Sequence, residues 1–241
     1  MNIKNNTGTG IPSNKIDIQI QYTKIFGVPI LKTSFPKNSI DKLVGLTDSL
    51  IKDPKHIDYS NKLAGVIKKG KQILMPVKIK ETGANKILKS LKNNIKALCN
   101  NYIESVRNSD EGSKKMWKDF TMNIIQVWLV SQYKHDYNPP HTHGGTMSGI
   151  IYLKVPKRIT DNLEVPDGKL SFQGWLPYKP EMLMFNQNQS INPKTGDVYI
   201  FPAWLSHQVY PFDFDEERRS ISFNLQATPS GENEPNVKFK Y

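Results

Sequence analysis

From Phe120 onward the chain is interrupted every several residues by turn-forming residues, and between the interruptions β-branched and aromatic residues predominate. Phe120 to Tyr133, FTMNIIQVWLVSQY, opens this half, and further strand-like runs span 147–155, 169–174, 197–202, 204–210 and 218–227. They are separated by Asn138-Pro139-Pro140, Pro166-Asp167-Gly168, Lys194-Thr195-Gly196-Asp197 and the acidic stretch Asp213 to Glu217, all of them rich in residues that turn a chain. A short strand hides its apolar face only against a second layer, so many short strands in succession restrict the chain to a sandwich or a barrel. The expected class is mainly β with flanking helices.

The helices come first. Leu43, Val44, Leu46, Leu50 and Ile51 recur at helical spacing after Asn38 or Ser39, either of which could cap. Over 84–107, Ile87, Leu88, Leu91, Ile95, Leu98, Tyr102 and Val106 form one apolar stripe, and Lys86, Lys89, Lys92 and Lys96 lie away from it. Such a helix covers a sheet with its lysines in water. Between Tyr22 and Phe35, YTKIFGVPILKTSF reads as a strand kinked at Gly27 and Pro29 or lying at an edge. No element is apparent over 53–82. The expected organisation is a loose polar arm over 1–20, one domain over 21–227 with a helical part (21–117) and a β core (118–227), and a polar tail over 228–241. A length of 241 residues, 37% hydrophobic, suits a single large core.

Within the β half two histidines stand one residue apart, in HTHGGTMSGIIYLKVP. Side chains alternate along extended chain, so His141 and His143 share a face and can reach one ion. His207, in IFPAWLSHQVYPF, is far off in sequence and needs the fold to bring it near. Four of the five histidines (His135, His141, His143, His207) lie in this part of the chain, while His56 in DPKHIDYS reads as a loop residue. Neutral imidazoles suit zinc, copper, nickel or iron, and three protein ligands with positions left open are a catalytic arrangement. Spacing does not choose the metal. The bland alternative is a pair of exposed histidines at a Pro-Pro turn unrelated to His207.

The series NPPHTH, SGIIYLKVP, TGDVYIFPAWLSHQV and RRSISFN, in that order over about 118–227, resembles the iron(II)- and 2-oxoglutarate-dependent oxygenase superfamily, in particular members common in bacteria and tailed phages. The opening YTKIFGVPIL is similar to the start of such proteins. The resemblance implies a double-stranded β-helix (jelly roll, cupin-like) with Fe(II) held by His141, His143 and His207, and with 2-oxoglutarate and O₂ as co-substrates. It implies hydroxylation of a substrate with decarboxylation of 2-oxoglutarate to succinate and CO₂. His143 stands where the family usually has a carboxylate, which leaves the site one unit more positive. That departure keeps open a three-histidine dioxygenase without an oxo acid, a carboxylate ligand such as Asp136, and a cupin-like binding module. Gly144 and Gly145 allow close backbone approach beside the histidines.

The family also places an Arg on a late strand against the oxo-acid carboxylate. In RRSISFN one face carries Arg218, Ser220, Ser222 and Asn224 and the other Arg219, Ile221, Phe223 and Leu225. A dicarboxylate needs the polar face, which selects Arg218 over Arg219. Gln126, Ser148, Tyr152 and Asn224 are candidate contacts to the co-substrate or the metal ligands.

The loops 157–168 and 173–193, with Trp175, Tyr178 and Phe185, are expected to line the pocket and to meet a small molecule, a peptide or a nucleic-acid base. The formal charge of +11 comes mainly from lysines spread over the first two thirds; it allows nucleic acid without requiring it, and no nucleic-acid motif accompanies it. The single cysteine, Cys99, excludes an internal disulfide framework and reads as core. With no membrane-spanning run, the expected setting is cytoplasmic, including that of an infected host if the source is a phage, with homo-oligomerisation left open.

Overall fold

The computed structural model describes residues 19–25, 27–76, 83–109, 111–162, 164–174 and 188–230. Most of the expected arm and of the tail, together with Trp175, Tyr178 and Phe185, lie outside the described residues. Eleven strands form among the described residues: β1 (Gln21–Ile25), β2 (Val28–Ser34), β3 (Lys71–Leu74), β4 (Phe120–Gln132), β5 (Asn138–His141), β6 (Met147–Lys154), β7 (Leu170–Gln173), β8 (Asn188–Ile191), β9 (Asp197–Pro202), β10 (His207–Val209) and β11 (Arg218–Pro229). They make two antiparallel sheets, one ordered β1-β2-β9-β6-β11-β4-β3 and one ordered β5-β10-β7-β8.

The larger sheet has two apolar faces and so buries both. Its inner face presents Ile30, Ile150, Tyr152, Tyr199 and Phe201 to Leu170, Phe172 and Val209 of the smaller sheet. Its outer face presents Leu31, Val127, Leu129, Ile151, Ile221, Phe223 and Leu225 to two helices, α1 (Lys37–Lys52) and α2 (Gly83–Arg107). From α2 this outer core receives Leu88, Leu91, Ile95, Leu98, Cys99, Tyr102 and Ile103, the expected stripe and the expected buried cysteine. Each such Leu or Ile, fully buried, stabilises the fold by roughly 1.5–3 kcal/mol. Short helices α3 (Glu111–Met116) and α4 (Lys157–Asp161) lie in the connections. No helix among the described residues is long and apolar enough to cross a membrane.

Several local expectations are corrected. The run 22–35 is a hairpin rather than one kinked strand: β1 and β2 pair antiparallel, and Gly27 turns the chain with φ +80. Pro36, not Asn38 or Ser39, occupies the N-cap of α1, and no side chain caps it. A proline just before the first turn is preset in φ and lacks an N–H to satisfy, so the helix starts earlier than a polar-cap rule indicates. Within 53–82, β3 forms because β4 offers an open edge to Lys71–Leu74. The run 204–210 is strand only over His207–Val209. The turn at Asn138-Pro139-Pro140 is strand β5, which prolines tolerate because β5 is the edge of its sheet.

Candidate metal centre

The three histidines meet at one end of the gap between the sheets. His141 ends β5 and His207 begins β10, and the two are direct cross-strand partners. The turn after β5 folds back so that the His143 N–H donates to the Ala203 carbonyl at 2.9 Å. Gly145 makes that turn feasible: its φ is +94, and a Cβ there would lie 2.5 Å from the Leu225 carbonyl oxygen. The imidazole rings end with centroids 4.9, 4.4 and 5.0 Å apart, and one nitrogen from each lies within 4.8 Å of the others.

Second contacts orient the rings. His141 Nδ1 lies 2.7 Å from the Pro139 carbonyl and His207 Nδ1 lies 2.9 Å from the Leu205 carbonyl. A carbonyl only accepts, so both Nδ1 atoms carry the proton and both Nε2 lone pairs point inward. Nε2 of His143 lies 3.2 Å from Nε2 of His207, close to the ~3 Å that separates two neighbouring nitrogen ligands at ordinary metal–nitrogen distances. Burial pushes all three pKa values down, to about 2 for His143 and about 3 for His207; His207 and His141 lower that of His143 further and His141 that of His207, while the Pro139 and Leu205 carbonyls act the other way on His141 and His207. The rings are neutral donors at neutral pH, with no proton to displace. The donor set therefore fits a borderline metal ion such as Fe(II) or Zn(II).

Among the described residues no carboxylate joins the cluster. Asp136, the rival ligand, is fully buried elsewhere: Oδ1 accepts from the Lys68 and Lys69 N–H groups at 2.7 and 3.2 Å, and Oδ2 from those of Gly70 and Tyr133 at 2.8 and 3.0 Å. With four amide donors in place the carboxylate ties loop 68–70 to the 133–136 turn, and it has no lone pair directed at the histidines. His135 is a surface residue facing Asp213 at 3.6 Å, and His56 faces Asp53 at the same distance.

A narrow cleft runs from the histidines along the inner face of β4, β6 and β11, lined by Trp128, Val130, Asn138, Ile150, Ser220, Ser222 and Arg218. Arg218 closes its far end, with only 1% of its surface exposed. Its Nε donates to the Gly168 carbonyl at 3.0 Å, one terminal nitrogen to Gln132 Oε1 at 2.6 Å and the other to the Tyr152 hydroxyl at 3.2 Å. All three acceptors are neutral, and burial lowers the Arg218 pKa. The neighbouring Ser220 hydroxyl is buried and has no hydrogen-bond partner among the described residues. Arg219 turns to the outer face, where Glu217 receives two hydrogen bonds at 2.7 and 2.8 Å and Asp48 one at 2.6 Å.

The remaining candidates divide. Tyr152 touches Arg218 through its hydroxyl and its ring, 5.0 Å from the guanidinium carbon. Ser148 lines the cleft and donates to Asn224 Oδ1 at 2.9 Å. Gln126 and Asn224 are cross-strand partners outside the cleft lining. Gln132 and Asn138 carry no functional signal of their own in the sequence, although alternation from Trp128 through Val130 carries Gln132 to the same face.

Residues 126–224 match the family model described as "Putative 2OG-Fe(II) oxygenase". Among solved structures, AviO1 from Streptomyces viridochromogenes Tue57 is similar with TM-score 0.53 and 12% identity, covering 87% of this chain and 92% of that one. HygX from Streptomyces hygroscopicus, with nickel and 2-oxoglutarate bound, gives TM-score 0.52 and 10% identity over 82% of each chain. The prolyl hydroxylase of Trichoplax adhaerens, in complex with a hypoxia-inducible-factor peptide fragment, gives 0.51 and 14% over 80% of each. At such identities the likeness establishes the fold. No curated protein sequence matches the chain. The fold is thus the double-stranded β-helix, and residues 126–224 are similar to the 2OG-Fe(II) oxygenases whose family model they match.

Proposed function

We propose that the protein is an Fe(II)- and 2-oxoglutarate-dependent dioxygenase that hydroxylates a substrate, with His141, His143 and His207 as iron ligands and Arg218 as the receptor for the far carboxylate of 2-oxoglutarate. The observation that carries the reading is a cation without an anion. Arg218 is buried at the end of the cleft that starts at the histidines, and no carboxylate among the described residues bonds it. A buried unpaired charge is costly, and a dicarboxylic ligand reaching from the metal centre would remove that cost.

The chain's own groups divide the work. The Arg218 guanidinium and the Ser220 hydroxyl supply donors for one carboxylate. Tyr152 holds the guanidinium from the side, and Ile150 and Leu170 keep the cleft dry. The Pro139 and Leu205 carbonyls hold the His141 and His207 rings so that their Nε2 lone pairs converge. When bound, iron would supply the oxidative chemistry in which O₂, 2-oxoglutarate and a substrate C–H bond give succinate, CO₂ and a hydroxylated product.

Oxygen uptake by the iron-loaded protein should depend on added 2-oxoglutarate and yield stoichiometric succinate. Iron binding without succinate would move the protein to the cupin-like binding modules. Oxygen uptake without any oxo-acid requirement would mark a three-histidine dioxygenase, a reading favoured by the lack of a carboxylate in the histidine cluster among the described residues.

A further inference from the structure

Gln132 ends β4 with none of its surface exposed, directly across from Arg218 in the β4–β11 register. Its amide orientation follows from chemistry: arginine only donates, so Oε1 faces Arg218 at 2.6 Å, and Nε2 is left to donate to Asn138 Oδ1 at 2.9 Å. Gln132 is thus the shortest of the Arg218 contacts, and it occupies the position from which a carboxylate would neutralise the guanidinium. It also joins that cation to β5, the strand that ends in His141 three residues beyond Asn138.

We propose that Gln132 is a positioning and specificity-determining residue: its neutral amide aims the Arg218 guanidinium into the cleft while withholding a counter-charge, so the anion-binding capacity of Arg218 is kept for a dicarboxylic ligand. This deepens the proposed function and rests on it for the identity of that ligand. The outer face shows the alternative. There Arg219, the next residue, meets Glu217 and Asp48, and its charge is satisfied within the fold. A glutamate at position 132 would do the same for Arg218. It is isosteric with glutamine, and Asn138 can turn its amide to donate to it.

The decisive variant is Gln132→Glu, with Gln132→Met as the uncharged control. Calorimetric titration of 2-oxoglutarate into anaerobic Ni(II)-loaded protein reads affinity apart from turnover, and melting without ligand reads the internal pairing. Gln132→Glu should bind 2-oxoglutarate at least tenfold more weakly yet melt roughly 2–4 °C higher, with nickel content unchanged. Gln132→Met should lose both affinity and melting temperature, because Asn138 and Arg218 are then both left short of a partner. A merely structural glutamine would move both quantities together in the two variants. Wild-type 2-oxoglutarate affinity in Gln132→Glu, or a melting temperature no higher than wild type, would overturn the inference while leaving the function standing. If the wild-type protein bound no 2-oxoglutarate, the functional reading would fall, and the melting comparison would still decide whether position 132 sets the charge state around Arg218.

Discussion

Arg218 and Arg219 are adjacent in sequence, both nearly inaccessible to solvent and identical in chemistry, yet the two faces of β11 treat them in opposite ways. On the outer face Glu217, Asp48 and Thr47 surround Arg219 and tie β11 to α1; burial lowers its pKa, but the two carboxylates outweigh that and raise it. On the inner face Arg218 has a glutamine, a tyrosine and a carbonyl, and burial prevails. The first cation is spent on cohesion. The second has no carboxylate partner among the described residues, the gap that the proposed dicarboxylate would fill, and the outer layer has to offset the destabilisation.

The test with the largest expected effect removes the support of the outer layer. Leu91 and Leu98 of α2 are nearly inaccessible within that core, so Leu91→Asp or Leu98→Asp would bury an unpaired carboxylate and cost about 4 kcal/mol or more in denaturant unfolding. A variant as stable as wild type would mean that α2 does not cover the sheet and that the two faces differ for another reason.

Next in size is the direct contest between the arginines. Under saturating iron, Arg218→Ala should raise the 2-oxoglutarate requirement by about two orders of magnitude, from the ~3 kcal/mol of a charge-assisted pair. Arg219→Ala should leave that requirement nearly unchanged and lower stability instead, because Glu217 then stays half-buried without its main donor. The reverse ranking would transfer the clamp to the outer face and undo the comparison.

A smaller effect is expected at the metal end of the inner face. His143→Ala should weaken iron binding by roughly 10–100-fold, measured by chelator competition, on the scale known for lost supporting groups at metal sites. Full iron stoichiometry in that variant would take His143 out of the ligand set.

The smallest effect is the acid response of the outer cluster. Burial raises the Glu217 pKa, but hydrogen bonds from Arg219, Ser131 and Lys154 outweigh it and hold the carboxyl below its ordinary value; the Arg219 hydrogen bond does the same for Asp48. A depressed folded-state pKa means stability that is complete above the unfolded value, about pH 4.3 for glutamate, and lost as pH falls through the folded one. The melting temperature of wild type should fall more steeply below that pH than that of Glu217→Gln. Parallel curves would show that the cluster contributes little.

The fold class was legible because alternation and turn chemistry are local. The runs 197–202 and 218–227 needed only their own residues to read as strands, and the spacing of Leu88, Leu91, Ile95 and Leu98 was enough to define α2 and the face it buries. The faces of β11 were readable for the same reason: a period of two places Arg218, Ser220 and Ser222 together without knowledge of their neighbours. Where partners from elsewhere decide the structure, local reading falls short. β3 depends on the free edge of β4, and β5 survives two prolines only because it lies at an edge.

At the site the division is similar. The sequence by itself determined which imidazoles could share an ion, since His141 and His143 are set on one side by backbone geometry. Only the tertiary structure brought His207 across from β10, used the lone pairs of Asp136 on four backbone amides, and set neutral Gln132 rather than a carboxylate against Arg218. The reason is physical: residue type and alternation set what a side chain can offer and toward which face, whereas charge compensation and lone-pair occupancy depend on groups tens of residues away that meet only when the sheets close.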